Sequence, residues 1–325
     1  MARKFNNCLI TGIAGSGGSY LADYIFTQNK KIKIHGTYRS SGFSNYLRKK
    51  YKKKIKLYKC DLNNFQKIKN ILKKTKPELI FHIASNADVK YSFDNPAVVT
   101  KNNVMITINL LEAVRQLKTN PLTIICSTSE VYGNVKKTDI PIKESQKFNP
   151  ANPYAATKAF QDFISQIYIK SFNLKIIITR MFSYINARRD TLFQTAFAKQ
   201  IVNIERKRQK VLKHGNLNSI RTFVDIEDAM SAYWLTATNG KIGEIYNIGG
   251  NKIISVKNFL KELIRNSSVK IKTKLDKKLL RPQDVSLQIP SVEKFKKDTR
   301  WKQKNSFEES VINLLNECRK KNIYE

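Results

Sequence analysis

The sequence predicts an α/β protein built on a doubly wound parallel sheet, followed by a smaller α/β lobe. Two observations lead to this prediction. Short, continuously apolar runs, the form that buried parallel strands take, alternate with longer amphipathic stretches through the first 180 residues. The first of these runs leads at once into a glycine-rich turn and a helical pattern. Right-handed crossovers between such strands place helices on both faces of the sheet.

The elements follow one another regularly as far as Arg180. Strands are predicted at Cys8–Thr11, Ile32–Tyr38, Ile55–Tyr58, Leu79–Ala84, Leu122–Ser127 and Lys175–Arg180. Helices are predicted between them at Ser19–Gln28, Phe65–Lys74, Ala97–Leu117 and Pro153–Ser171. The strand runs are bounded by polar or glycine-containing turns, and the helical stretches repeat their apolar residues at helical spacing.

After Arg180 the alternation loosens, and the rest of the chain is predicted to pack against the sheet as a second lobe. Helices are predicted at Thr191–Arg208, Asp225–Thr236, Ser255–Ile264 and Phe307–Cys318, and strands at Val211–Lys213 and Glu244–Ile248. A length of 325 residues also suits two domains. We expect a division into residues 1–180 and 181–325, with interleaved boundaries.

The charge of the chain is strongly positive. Lys and Arg number 60 against 25 Asp and Glu, a formal net charge of +35. Because Lys is spread along the whole chain, without a basic arm, we interpret the charge as a solvated surface and do not expect nucleic-acid binding. Polyanion binding and steering of an acidic substrate are the alternatives. The three His lack zinc-ligand spacing, so no metal centre is expected.

The cysteines and the N-terminal segment bear on the compartment. Four Cys without paired spacing are typical of packing thiols in a reducing environment. The segment after Arg3 and Lys4 contains Asn, Gly and Ser and lacks the continuous apolar core of a signal peptide. No run reaches the ~20 apolar residues of a membrane span. We therefore expect a cytoplasmic protein.

The turn after the first strand is the first candidate binding site. Gly12, Gly15, Ser16 and Gly18 lie between that strand and the first helix. In this context backbone N–H groups can approach a pyrophosphate at a helix N-terminus. Gly12 and Gly15 would shape the turn, and Gly18 would allow close packing of helix and strand. The alternative is a merely structural turn. We predict a Rossmann-like, dinucleotide-binding domain.

The ends of the next strands select the cofactor. An acid after the second strand would favour NAD, but none occurs there, and Arg39 with Ser40 suits the 2′-phosphate of NADP. Alternatively, Arg39 is one more surface cation. Asp61, beside Leu62, could accept from the adenine amino group or cap the following helix at Asn63, and the two roles are compatible. Ala84, at the end of the fourth strand, is a further predicted cofactor contact.

A Tyr and a Lys near the start of a helix form the candidate catalytic pair. The spacing of Tyr154 and Lys158 places phenol and ammonium on one helix face, and we expect the ammonium to lower the phenol pKa. The run from Ser127 to Glu130 ends the fifth strand, where open α/β sheets form their sites.

These motifs resemble those of the extended short-chain dehydrogenase/reductases that modify nucleotide sugars, the NAD-dependent epimerase/dehydratase family. Within it, the chain is most similar to the GDP-mannose 4,6-dehydratases in the segments 9–21, 127–133, 153–155, 188–189 and 215–221. The segments 197–201 and 280–285 look equally like the partner 4-keto-6-deoxy-mannose reductases. After Phe182, Ser183-Tyr184 replaces the usual Asn-His, which leaves room for another GDP-sugar, such as a GDP-heptose.

The resemblance implies a lyase with bound NADP that removes water from GDP-mannose or a related GDP-sugar. Tyr154 would take the C4 hydroxyl proton, Thr128 would bond the C4 oxygen, Glu130 would remove the C5 proton, and Lys158 would hold the nicotinamide ribose. Alternatively, Glu130 merely caps a short turn. The implied substrate contacts are Ser85, Ser129, Ser183, Arg188, Lys199, Asn216, Arg221 and Arg281, with the cations Lys199, Arg221 and Arg281 on the diphosphate.

Three other functions remain open on this resemblance. A 4-keto-sugar reductase and a sugar epimerase share the fold, and an inactive Rossmann protein could bind RNA or another partner through its basic surface. The family also implies a homo-oligomer, a dimer or tetramer, formed through the helices predicted at Ala97–Leu117 and Pro153–Ser171.

Overall fold

Seven parallel strands form the main sheet of the computed structural model, which describes residues 2–320. These strands are β1 (Asn7–Thr11), β2 (Lys33–Tyr38), β3 (Ile55–Lys59), β4 (Leu79–His82), β5 (Leu122–Thr128), β6 (Ile176–Met181) and β9 (Ile245–Ile248). Their order across the sheet is β3-β2-β1-β4-β5-β6-β9. Strands β2 and β3 extend the sheet on one side of β1, and β4 starts the other side. This reversal of the strand order is typical of a doubly wound fold and confirms the predicted fold class. Strand β9 comes from beyond residue 181, so the sheet draws on both predicted segments.

Helices cover both faces of this sheet. They are α1 (Ser16–Gln28), α2 (Ser44–Tyr51), α3 (Phe65–Thr75), α4 (Val89–Asp94), α5 (Pro96–Gln116), α6 (Pro153–Phe172) and α8 (Ile226–Asn239). Successive strand residues point to opposite faces, so Cys8 and Ile10 pack in the core beneath α1 and α8, whereas Leu9 packs beneath α3 and α5. Among residues 2–320, no helix is both long and apolar enough to cross a membrane.

The smaller lobe contains the remaining elements. They are α7 (Phe193–Glu205), β7 (Leu212–His214), β8 (Ile220–Thr222), β10 (Ile253–Ser255), α9 (Val256–Arg265), β11 (Thr273–Leu275), β12 (Leu287–Gln288), α10 (Glu293–Thr299) and α11 (Phe307–Arg319). Strands β10, β8 and β12 form one small sheet, and β11 pairs with β7 in another. Phe223 and Phe259, whose ring centroids are 4.8 Å apart, lie in the aromatic core between them and α11.

Several short elements were not predicted from the sequence. They are the helices α2, α4 and α10 and the strands β8, β10, β11 and β12. Each spans eight residues or fewer, too few for a periodic pattern to stand out, and α2 buries only Ser44 and Leu47. The long elements lie where they were predicted, with ends displaced by a few residues.

Candidate active site

A cleft of about 870 Å³ opens at the carboxyl ends of the central strands, between the main sheet and the smaller lobe. Most of the predicted site residues line it. They are Gly12, Gly15, Ser16, Gly18, Arg39, Ser40, Asp61, Leu62, Ala84, Ser85, Thr128, Ser129, Glu130, Tyr154, Lys158, Ser183, Arg188, Arg221 and Arg281. The predicted substrate residues Lys199 and Asn216 lie outside the lining of this cleft.

The glycine turn has a backbone that side chains would obstruct. Gly12 has a φ of +69°, and a Cβ atom there would lie 2.9 Å from the Cα of Ala84. A Cβ atom on Gly18 would lie 2.5 Å from the carbonyl oxygen of Gly12. In the part of the chain that the structure describes, no side chain caps the N-terminus of α1 at Gly15. Gly15, Ser16 and Gly18 line the cleft, so the start of α1 lies where helix N–H groups can bind a phosphate.

The residues predicted to select the cofactor lie along one edge of the cleft. Arg39 follows β2, and its Nη1 donates to Oδ1 of Asn102, 3.0 Å away. Asp61 accepts from the backbone N–H of Asn63, at 2.9 Å. The alternative that Asp61 caps the next helix is wrong, because α3 begins at Phe65 and Asn64 is its cap.

Tyr154 is buried in the first turn of α6, which begins at Pro153 and is capped by the preceding Asn152. Burial raises the pKa of Tyr154 to about 12, against the opposing effects of the Arg189 guanidinium and a hydrogen bond with Thr128. Glu130 adds to the upward shift of this pKa, because its carboxylate lies near the phenol. The phenol of Tyr154, the hydroxyl of Thr128 and the carboxylate of Glu130 belong to residues that line the same cleft.

Lys158 lies one turn further along α6 and is turned towards the sheet. Its Nζ donates to the carbonyl oxygen of Cys126, at 2.6 Å, and to Oε1 of Gln161. Burial lowers the pKa of Lys158 to about 8. The expectation that Lys158 brings the pKa of Tyr154 down is therefore wrong for this structure: burial outweighs every cation, and the largest opposing effect is that of Arg189.

Glu130 lies on the short 3₁₀ turn that follows β5. Its Oε2 accepts from Nδ2 of Asn152, and its Oε1 accepts from Nε2 of Gln288, each at 3.2 Å. Nη1 of Arg221 is 3.7 Å from the same Oε1. The cap of this turn is the hydroxyl of Thr128, which accepts from the backbone N–H of Glu130. The Glu130 carboxylate is thus not the cap.

Three of the predicted substrate residues meet at the carboxylate of Asp284. Nη2 of Arg221 and Nη1 of Arg281 are 3.8 and 3.9 Å from its Oδ1. Nδ2 of Asn216 donates to its Oδ2, at 2.9 Å. Arg221 is buried whereas Arg281 is exposed at the mouth of the cleft. Two forked cations thus face the cleft from the smaller lobe, a suitable arrangement for a diphosphate.

Two other predicted substrate residues have partners elsewhere. The guanidinium of Arg188 turns towards α1, where it donates to Oγ of Ser19 at 3.0 Å and pairs with Asp23 at 2.7 Å. Lys199 pairs with Asp190 at 2.7 Å, and both side chains are well exposed. Arg188 thus lines the cleft but turns its charge towards α1, and Lys199 lies outside the cleft, so neither cation joins Arg221 and Arg281 at Asp284.

The structure also brings in residues that the sequence analysis did not assign to the site. They are Arg189, whose Nη2 donates to the carbonyl of Ala87, and Asn152 and Gln288, which hold Glu130. A signal existed for Arg189, as part of an Arg-Arg pair, and for Asn152, as a helix cap two residues before Tyr154. Nothing in the sequence marks Gln288.

Comparison with known proteins gives the family. The family model described as GDP-mannose 4,6 dehydratase matches residues 9–314. Human GDP-mannose 4,6 dehydratase is 27% identical over 346 residues, which cover 97% of this chain and 92% of that protein. A dTDP-D-glucose 4,6-dehydratase of Dictyostelium discoideum is 31% identical over 271 residues, which cover 80% of this chain and 62% of the length of that relative.

Solved structures share the fold over nearly the whole chain. UDP-glucose 4-epimerase of Thermus thermophilus, solved with NAD, has a TM-score of 0.84 at 23% identity. RMD of Pseudomonas aeruginosa, solved with NADPH, has a TM-score of 0.81 at 21% identity. Each match covers 97% of this chain and 99% of the other. The chain belongs to the GDP-mannose 4,6 dehydratase family, within the extended short-chain dehydrogenase/reductases.

Proposed function

We propose that this protein is an NADP-dependent nucleotide-sugar 4,6-dehydratase, a lyase acting on GDP-mannose or a related GDP-sugar. The observation that carries the proposal is the place of Glu130, which lines the same cleft as Thr128, Tyr154 and Lys158 and is hydrogen-bonded to Asn152, the cap of the helix that carries Tyr154. A reductase or epimerase needs only the pair Tyr154 and Lys158. Loss of water also needs a base for the C5 proton, and Glu130 supplies one in the same cleft.

Each catalytic side chain has one task in the proposed reaction. Tyr154 takes the proton of the C4 hydroxyl, and Thr128 bonds the C4 oxygen while it becomes a ketone. Glu130 then removes the C5 proton, which the new ketone acidifies, and passes it to the C6 hydroxyl, which leaves as water. C5 takes up a proton from solvent when the hydride returns to C6. The nicotinamide cofactor, when bound, supplies reversible storage of the hydride that leaves C4 and later returns to C6. Lys158 binds the nicotinamide ribose.

Support for NADP comes from the charge beside the adenosine end of the cleft. Arg39 follows β2, and no acid stands in the segment from Arg39 to Asn45. The pyrophosphate would lie on the glycine turn. Proteins of similar fold have been solved with NAD and with NADPH. The residues proposed to hold the cofactor are Gly12, Gly15, Ser16, Gly18, Arg39, Ser40, Asp61, Leu62, Ala84, Tyr154 and Lys158.

The substrate is proposed to lie across the cleft from the sheet to the smaller lobe. Arg221 and Arg281 bind its diphosphate, since forked guanidinium groups match phosphate oxygens. Ser85, Ser129 and Ser183 line the cleft where the sugar would lie. We leave Arg188 and Lys199 out of this set because their acidic partners are elsewhere.

The test is incubation with a panel of nucleotide sugars, followed by mass spectrometry for loss of water. We expect water loss from a GDP-sugar, no net change in nicotinamide absorbance, and transfer of deuterium from C4 to C6. Glu130→Gln should abolish water loss while cofactor binding persists. Glu293→Gln, which changes an exposed carboxylate of α10, is the matched control. Stoichiometric oxidation of NADPH on a 4-keto sugar, without action on the parent sugar, would instead show a reductase.

A homo-oligomer belongs to the same proposal. Exposed apolar side chains lie along α5 and α6, among them Val98 and Phe163, each 56% exposed. Such a face is typical of protein interfaces. We propose a dimer or tetramer that covers it.

A further inference from the structure

The side-chain amide of Gln288 connects the guanidinium of Arg221 to the carboxylate of Glu130. It is 2% exposed, on the short strand β12, which pairs with β8 and so lies beside Arg221. Its Oε1 accepts from Nη1 of Arg221, and its Nε2 donates to Oε1 of Glu130, 3.2 Å away. The amide therefore bridges the cation to the carboxylate.

The chemistry of the partners fixes which way this amide points. A guanidinium offers only donors, and a carboxylate that is ionised offers only acceptors. Turning the amide over would place its NH₂ against Arg221 and its oxygen against Glu130, and both hydrogen bonds would be lost. The bridge has one orientation as long as Arg221 and the ionised Glu130 are both in place.

Glu130 is consequently held from two parts of the molecule. Asn152, the cap of α6, donates to Oε2 and ties the carboxylate to the helix that carries Tyr154. Gln288 donates to Oε1 and ties it to the smaller lobe. Each carboxylate oxygen receives one amide N–H, so the carboxylate plane is set by two anchors on separate elements.

We propose that Gln288 is a positioning residue for Glu130, and that through Arg221 it makes the alignment of this base depend on the diphosphate site of the smaller lobe. The inference rests on the proposed dehydratase function. It explains why a buried amide stands between a substrate-binding cation and a base. Arg221 holds Gln288, and Gln288 holds Glu130. When the diphosphate of the sugar binds Arg221, the carboxylate of Glu130 is therefore already oriented to remove the C5 proton.

The test separates oxidation at C4 from proton removal at C5. Gln288→Met keeps the length of the side chain and removes both hydrogen bonds. Gln28→Met, at the exposed end of α1 and away from the cleft, is the matched control. With GDP-mannose, or with the GDP-sugar that the panel identifies, three rates are compared: appearance of reduced nicotinamide on mixing, incorporation of solvent deuterium at C5, and release of water.

We expect Gln288→Met to slow deuterium incorporation and water loss about tenfold or more, because general-base catalysis is worth 10²–10⁴-fold and depends on alignment. Reduced nicotinamide should still form at close to the wild-type rate and then accumulate, since Tyr154 and Thr128 are untouched. Gln28→Met should match the wild type in all three rates. The thermal unfolding midpoint of each variant checks that it folds.

Two results would overturn the inference. Gln288→Met could slow all three steps equally, which would make Gln288 structural, or it could slow none of them. If the wild-type protein dehydrates no sugar, the proposed function itself is wrong. The same assay shows this directly. If the wild type is active and Gln288→Met has the same three rates, only the role proposed for Gln288 is wrong.

Discussion

The buried position of Lys158 makes the charged form of its side chain unfavourable for the stability of the fold. Its side chain is buried beneath α6, with the carbonyl of Cys126 and the amide oxygen of Gln161 as acceptors. Burial lowers its pKa from the ordinary 10.5 to about 8. At neutral pH the charged form is thus held in the fold at a cost of about 3 kcal/mol. A residue kept at such a cost is typical of an active site.

Lys158→Met should therefore stabilise the fold at neutral pH while it abolishes turnover. Between pH 8 and 10.5 the unfolded state binds the proton that the folded state has lost, so this lysine makes wild-type stability rise with pH. Methionine does not titrate. The free energy of unfolding of the variant should exceed that of the wild type by about 3 kcal/mol at pH 7, less whatever the two lost hydrogen bonds contribute.

Urea unfolding of both proteins at pH 7 and pH 10.5 measures this difference, and the other titrating groups cancel in the comparison. The gap should close towards the higher pH. If the difference in free energy of unfolding between the two proteins were the same at both pH values, the lowered pKa of Lys158 would be contradicted.

Arg39 is the residue that we propose favours NADP over NAD. Its guanidinium is exposed at the edge of the cleft and shared with Asn102. Arg39→Ala should weaken NADP(H) binding by about 1.5–3 kcal/mol, the worth of a charged hydrogen bond, and leave NAD(H) binding nearly unchanged. Calorimetric titration with both cofactors measures it, and Lys59→Ala, at the exposed end of β3, is the control. Equal losses for both cofactors, or a native preference for NAD(H), would contradict the assignment.

At the scale of elements, the success of the sequence analysis follows the strength of each apolar pattern. Strand β6 is buried at all six positions, and the prediction of Lys175–Arg180 differs from it by one residue at each end. Helix α6 was predicted from its first residue, Pro153, which is suited to a first helical turn. Elements that bury a whole face leave this imprint on the sequence whatever their surroundings.

The part of the site in the smaller lobe was less accessible to sequence reasoning. Strands β8 and β12 span three and two residues, and they carry Arg221 and Gln288. Glu130 and Gln288 are 158 positions apart in sequence, so only tertiary folding brings them together. The same limit applies to Lys158: spacing alone placed it on one helix face with Tyr154, but burial turned its ammonium towards Cys126.

For the whole molecule, the net charge of +35 acts differently from the few cations in the cleft. Four arginines line the cleft, namely Arg39, Arg189, Arg221 and Arg281, besides the inward-turned Arg188. Most of the other lysines and arginines lie on the surface, where salt screens them within about 10 Å. The electrostatic field of these surface charges is expected to speed the approach of a dianionic nucleotide sugar at low salt. It does not distinguish one anionic ligand from another. We expect selection to come from Arg221 and Arg281, the arginines proposed to bind the diphosphate.

The outer face of α5 and α6 is the feature that a single chain does not account for. Phe160, Phe163 and Ile167 lie at helical spacing on α6, between 37% and 56% exposed, and Val98 on α5 is 56% exposed. Because water-facing aromatic side chains in a row are costly, we expect a second copy to cover them.

Phe163→Glu should therefore split the oligomer into monomers, since dimerisation would bury an unpaired carboxylate in the interface. Ile312→Glu, on the exposed face of α11, changes an apolar side chain of the smaller lobe and should leave the assembly intact. Sedimentation equilibrium of the wild type and both variants measures the mass. A monomeric wild type would refute the oligomer. A Phe163→Glu variant that keeps the wild-type mass would instead place the interface on another surface and leave this apolar face for a different partner.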